Sequence, residues 1–230
     1  MKNTKSLYHA HRFPVTVISC AVHWYFGLQF SLRDIVELLF ERGIIVSCEM
    51  VRSRCDKFGA CFVSRMKSRR PKPGAAWHLE EVFVTLRGKR CLLWRAVDQD
   101  GAELDILLQR HRDKAAAKRF FVHILASSAE APRTIVTDKP RSYPAAEAEI
   151  PESVHVRNVF VEASVRINNR AENSHKPTRE RARRMRGFRD AKRTPAFLSN
   201  FGPIRQRFTL KPNLLRASLY YEQLSARFAA

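Results

Sequence analysis

Trp77-His78-Leu79-Glu80-Glu81-Val82-Phe83-Val84-Thr85-Leu86 is the stretch on which the fold turns. It follows a basic, proline-containing segment and predicts a strand, because β-branched and aromatic residues dominate it. Side chains alternate along a strand, so Trp77, Leu79, Glu81 and Phe83 share one face while His78, Glu80, Val82 and Val84 share the other. One of the two adjacent acids must therefore face an interior or a site. Taken alone, the pair equally fits edge-strand charges that discourage aggregation.

Moving downstream, Arg87-Gly88-Lys89 predicts a turn and Arg90 to Val97 a second strand. Asp98-Gln99-Asp100-Gly101 is a hairpin signal, and Glu103 to Gln109 returns as a third strand, completing an antiparallel meander. Asp113 is placed to cap an alanine-rich helix through Ala126, with Ala116, Phe120 and Ile124 on its apolar side. Thr134-Ile135-Val136-Thr137 then predicts a short buried strand, reached by a helical crossover and hence parallel. Tyr143 to Ile150 suggests another helix, and Val154 to Val165 fits a strand and a loop. A basic helical region starts near Asn168 and reaches Met185, with Pro177 expected to kink or interrupt it. A meander, a crossover helix, a short strand and closing helices are the order of a ribonuclease H-like α/β fold.

Upstream the pattern is helical. Val15 to Phe26 is long enough for about three turns. Ser31 and Asp34 form a capping-box signal ahead of Leu32 to Phe40, and Gly43 closes that helix. Ser47 can cap a third helix over Cys48 to Phe58, whose Val51, Cys55 and Phe58 recur on one side. Two helices joined by a short turn, the second bearing basic residues, are helix-turn-helix patterning. The expected organisation is a helix-turn-helix DNA-binding domain over 1–63 and a basic linker over 64–76. A ribonuclease H-like domain over 77–186 and a C-terminal helical extension over 187–230 complete it.

Charge narrows the class. Among 230 residues, 42 Lys and Arg against 22 Asp and Glu give a formal net charge of +20, an excess that points to a polyanion such as DNA. No apolar run approaches the roughly 18 to 20 residues that span a membrane, and the polar N-terminus does not read as a targeting peptide. The five cysteines show no C-x-x-C spacing, which fits reduced, mostly buried thiols in a cytoplasmic, nucleoid-associated protein and argues against zinc.

Three acids stand at telling places: Glu80 in the first strand, Asp138 after the crossover strand, and Glu172 early in the late helix. In a ribonuclease H-like sheet the first and crossover strands are neighbours, and the late helix lays its acid against them. Carboxylates converging there can hold two divalent cations about 3.5–4 Å apart, for in-line attack on a phosphodiester. Oxygen ligands suit Mg²⁺ or Mn²⁺. Without the motifs around them, three scattered acids in such a chain would carry no meaning.

Those motifs are Trp77-His78-Leu79, Arg95-Ala96-Val97-Asp98, Thr137-Asp138-Lys139 and Asn168-Asn169-Arg170-Ala171-Glu172-Asn173-Ser174-His175, with Arg184-Met185-Arg186-Gly187-Phe188 and Phe201-Gly202-Pro203-Ile204-Arg205 beyond. Upstream, His11-Arg12-Phe13-Pro14, Ser31-Leu32-Arg33-Asp34 and Glu41-Arg42-Gly43-Ile44 belong with them. Over nearly its whole length the chain resembles the bacterial insertion-sequence transposases of the IS-six type, within the DDE transposase and retroviral-integrase superfamily. The resemblance implies a DNA transposase that cleaves and transfers strands with two Mg²⁺ or Mn²⁺ ions. It also implies double-stranded DNA partners (terminal inverted repeats and target) and assembly as a homo-oligomer.

Position by position, the resemblance makes Asp138 and Glu172 the second and third metal-binding carboxylates. The first should be an aspartate after Trp77-His78-Leu79, and here it is Glu80. Asn158 stands where a histidine is expected and Arg54 where a tryptophan is expected. Candidate DNA contacts are Met50, Arg52 and Arg54 on the recognition helix, Lys139 beside the second acid, and His175, Lys176, Arg179 and Arg183 along the late helix. For His175 and Lys176, at i+3 and i+4 from Glu172, an active-site role is the other possibility. Two alternatives follow: a catalytically impaired relic that still binds DNA, or a helix-turn-helix regulator.

Overall fold

The computed structural model describes residues 13–68, 73–111, 113–126, 131–137, 157–160, 169–209 and 216–229. The chain divides into two compact units, Met1–Ser68 with Pro203–Ala230, and Arg69–Gly202.

In the first unit, α1 (Val15–Phe26), α2 (Leu32–Phe40) and α3 (Cys48–Ser68) pack on one another. The capping box at α2 forms as the sequence suggests: Ser31 Oγ accepts from the Asp34 N–H at 3.2 Å, and the Ser31 N–H donates to Asp34 Oδ2 at 2.8 Å. α3 runs ten residues further than its apolar spacing implied, to Ser68 instead of Phe58. The reason is that Val63 extends the buried side begun by Val51, Cys55 and Phe58, so the basic run from Arg65 begins on helix.

In the second unit, β1 (Ala76–Leu86), β2 (Lys89–Asp98), β3 (Glu103–Gln109), β4 (Thr134–Thr137) and β5 (Arg157–Phe160) form one sheet in the order β3-β2-β1-β4-β5. β1, β2 and β3 are antiparallel neighbours, whereas β4 runs parallel to β1 and β5 parallel to β4. That is the ribonuclease H-like topology expected. It places β1 at the centre, so its acids are not edge charges. α4 (Lys114–Ala126) is capped by Asp113, whose Oδ1 accepts from the Ala116 N–H at 2.7 Å. It covers one face of the sheet, where Trp77, Leu79, Trp94 and Ala96 meet Ala116, Phe120 and Ile124 in the main apolar core.

The other face of β1 packs against α5 (Asn169–Arg184). Pro177 does not interrupt this helix, which is continuous from Asn169 to Arg184 with the proline inside. An interior proline costs a helix about 3 kcal/mol. Pro177 is buried, so packing of its ring offsets part of that cost. After α5, Phe188 bridges to Leu86 at the end of β1, and Phe188, Phe197 and Phe201 stack in succession into α6 (Arg193–Phe208). α7 (Ala217–Ala229) follows. The expected helix over Tyr143 to Ile150 lies outside the described residues.

Candidate active site

β1 delivers Glu80 to the sheet face opposite the main core. Alternation settles which acid is the internal one: Glu80 is buried at 6% exposure, while Glu81 is half-buried on the α4 face opposite Trp94. The parallel β1–β4 register ends with Leu79 paired to Thr137. Glu80 and Asp138 are the residues that follow these two in the chain. Asp138, Lys139 and the side chain of Glu172 lie outside what the structure describes, and so does the side chain of Asn158.

α5 closes over Glu80. Its buried side carries His175, Thr178 and Arg181 at three-residue spacing, while Lys176, Arg179 and Arg183 are exposed. Glu172 stands in the first turn, three residues before His175. His175 Nε2 meets Glu80 Oε2, with both side chains almost sealed from solvent. Burial, and secondarily the positive fields of Arg95 and Arg179, hold the His175 imidazole at a pKa of about 3. The ring is therefore neutral at pH 7, so its close contact with Glu80 is not an ion pair.

Across the strand pair, Glu80 stands directly opposite Arg95 on β2. Arg95 is itself buried, and its Nη2 lies 2.5 Å from Glu103 Oε2. Strict alternation would put Glu103 on the α4 side, with Asp105 and Leu107. A register shift between Ala96 and Val97 breaks the alternation, pairing Glu103 with Val97 while Leu104 enters the core. Bulges re-aim side chains in this way. The Glu103 carboxylate then rests against Gly202 of α6, where any Cβ would collide with it. Glu80, His175, Arg95 and Glu103 thus form a chain of buried charged and polar groups between sheet and helices.

The domain holding this network matches a family of DDE domains over residues 74–209, more than half of the chain. The chain belongs to the DDE transposases of insertion sequences, of the IS-six type. It is 28% identical over 183 residues to the Staphylococcus aureus transposase for the insertion sequence-like element IS431mec, covering 80% of this chain and 81% of the relative. The Staphylococcus aureus transposase for insertion sequence element IS257 in transposon Tn4003 is equally similar, at 28% over 183 residues. Among solved structures it is similar to the catalytic domain of Mos1 mariner transposase (TM-score 0.45, 11% identity, 76% of this chain and 88% of that one). The HTLV-2 integrase catalytic core domain in complex with magnesium gives a TM-score of 0.38 at 14% identity, covering 68% of this chain and 86% of that one.

The transposase is thus a polynucleotidyl transferase of a family that uses divalent metals.

Arg95 and Glu103 were missed as site residues. A lone strand arginine is ordinarily a surface charge, and nothing local marks a bulge. The expected DNA contacts separate into groups. Lys176, Arg179 and Arg183 are exposed on one side of α5, but His175 is turned into the protein. Arg181, part of the basic run, is buried with its guanidinium 5.8 Å from the Phe197 ring centre. In the first unit Met50 and Arg54 are half-buried and line an apolar cavity with Phe13, Val17, Ile18 and Leu39, while Arg52 pairs with Glu49. Arg54 therefore belongs to the packed side of α3.

Two of the buried imidazoles, His23 and His175, carry a pH prediction. Burial lowers His23 from 6.5 to about 4, as burial and Arg95 lower His175 to about 3. Below 6.5 the unfolded chain takes up protons that the folded chain refuses, so stability rises with pH across that window. The urea midpoint is expected to fall as pH is lowered from 7 to 5, and to fall less in His175→Gln. A flat profile in the unaltered protein would contradict neutral burial of these rings.

Proposed function

We propose that this transposase cuts and joins insertion-sequence ends with Glu80, Asp138 and Glu172 as its metal-binding carboxylates. One observation carries the assignment: the β1–β4 register ends at the residues preceding Glu80 and Asp138, while α5 sets His175, one turn after Glu172, on Glu80. The three acids would hold two Mg²⁺ or Mn²⁺ ions, which when bound activate the attacking water or 3′-hydroxyl and offset charge on the phosphodiester. His175 orients the Glu80 carboxylate and stays neutral, adding no positive charge to the centre. Lys176, Arg179 and Arg183 take the DNA backbone along the outer side of α5, joined by Lys139 beside Asp138.

The N-terminal helices bind the terminal inverted repeats, with Arg52 on the partly exposed side of α3 as the favoured contact. Its pairing with Glu49 is easily exchanged for a phosphate, since exposed ion pairs contribute little. The protein works as a homo-oligomer on DNA in the cytoplasm.

A second reading has its own observation: Glu80 replaces the expected aspartate, and its carboxylate is engaged by His175. This favours an impaired enzyme that retains DNA binding. The test is incubation of the full chain with duplexes carrying the element's terminal repeats, with Mg²⁺, with Mn²⁺ or in EDTA. Metal-dependent nicking at the repeat ends supports the transposase. Binding without nicking, even after Glu80→Asp, would leave a DNA-binding protein only.

A further inference from the structure

Two turns of the second unit break the same local rule at neighbouring positions. The β1–β2 hairpin turns through Arg87 and Gly88 at φ 51° and 74°, and the segment after α5 turns through Arg186 and Gly187 at φ 52° and 79°. The first residue of such a hairpin turn is ordinarily Asn, Asp or Gly, because a Cβ is disfavoured at positive φ. Arginine has no local reason to be there. Both glycines lie at positive φ, and a Cβ on Gly187 would also press on the Thr85 carbonyl at 3.3 Å.

The two turns are tied together. The Phe188 N–H donates to the Thr85 carbonyl at 2.8 Å, and the Arg87 N–H donates to the Phe188 carbonyl at 2.8 Å. Arg87 Nε also donates to the Arg189 carbonyl at 3.0 Å. Exposed Arg87, Lys89, Arg90, Arg184, Arg186 and Arg189 are thereby gathered at the far end of β1. Arg90 is held flat, its guanidinium 3.6 Å above the half-exposed Phe83 ring. Asp190 is the acid of this segment, and its carboxylate, which accepts from the Lys192 and Arg193 N–H groups, offsets part of the charge near Arg87.

We propose that this paired Arg-Gly corner is a second DNA-backbone clamp, gripping the duplex away from the scissile phosphate. The inference rests on the transposase function proposed above. Six strand residues separate Glu80 from Leu86, about 20 Å at the rise of a strand, or roughly six base pairs of duplex at 3.4 Å each. α5 runs in the same direction, so the exposed Lys176, Arg179 and Arg183 lead from the carboxylates toward the corner. Phosphate contacts of this kind set register and orientation without reading sequence.

The test uses the full chain, a terminal-repeat duplex in EDTA, and fluorescence anisotropy over a salt series. The double variant Arg87→Asn, Arg186→Asn removes both charges while supplying a residue suited to positive φ. Its melting temperature is expected to be equal or higher, while the slope of log affinity against log salt shrinks by about two. A control, Arg110→Gln with Lys114→Gln, removes the same charge from exposed positions elsewhere in the unit and should change the slope clearly less. An unchanged slope in the Asn variant would overturn the clamp, as would an equal loss in the control. A lower melting temperature would show that the arginines serve the fold. If the unaltered protein bound no duplex in a salt-dependent way, the transposase function itself would fail, a result distinct from tight binding that ignores the corner.

Discussion

Replacing Glu80 with aspartate is expected to raise metal-dependent cleavage of insertion-sequence ends by one to two orders of magnitude and to destabilise the fold at the same time. The glutamate arm is one methylene longer than aspartate, about 1.5 Å by standard bond lengths. In this chain that length brings Oε2 onto His175 of α5. An aspartate would withdraw the carboxylate toward β1, where the family expects the first metal ligand. Misplacement of about 1 Å can cost on the order of a hundredfold in rate, and Mg²⁺ tolerates little departure from octahedral coordination. The cost falls on His175, buried at 1% exposure, whose Nε2 would lose its contact with the Glu80 carboxylate. An unsatisfied buried polar group costs about 1–3 kcal/mol. Single-turnover cleavage and urea unfolding of the two proteins check both halves. Equal rates would show that Glu80 already serves as well as aspartate, and equal stability would show that the His175 contact contributes nothing.

Much of this site could be read along the chain, for physical reasons visible in particular residues. Alternation over Trp77 to Leu86 separates Glu80 from Glu81 because one face of a central strand meets a helix and the other meets a core. Asp98 to Gly101 and Asp113 announce a turn and a cap through side-chain hydrogen bonds to nearby backbone, and both form where expected: Asp98 Oδ1 accepts from the Asp100 and Ala102 N–H groups at 3.0 and 2.8 Å. What escaped depends on partners far away in sequence. Glu103 reaches Arg95 because of a bulge set by the tertiary pairing of β2 with β3. Gly202 is small because a carboxylate from β3 rests on it, which no helix pattern reveals. α3 continues past Phe58 because Gly59 and Val63 are also buried along it, which the spacing of Val51, Cys55 and Phe58 does not announce. The partial burial of Arg54 has a related cause: helical spacing puts it beside Val51 and Phe58, but only packing against α1 shows that side to be covered.

Arg95→Ala is expected to be among the most destabilising single substitutions in the second unit, at about 3–5 kcal/mol, the usual cost of removing one partner from a buried ion pair. The guanidinium is 4% exposed, lies 2.5 Å from Glu103 Oε2, and stands across the strand pair from Glu80. Its removal leaves the buried Glu103 carboxylate, which rests against Gly202, without that cation. Replacing both partners behaves differently. In Arg95→Met with Glu103→Met the charges leave together and apolar volume replaces them, so stability should recover most of the loss. The same variant tests the electrostatics at Glu80. Arg95 is the second cause, after burial, of the depressed His175 pKa, so without it the imidazole should titrate above its present value of about 3. A double-mutant cycle by urea unfolding and the His175 ring signals in a pH titration separate the two effects. A small loss in Arg95→Ala would mean that water reaches Glu103. An unmoved His175 titration would mean that burial and Arg179 suffice to keep the imidazole neutral beside Glu80.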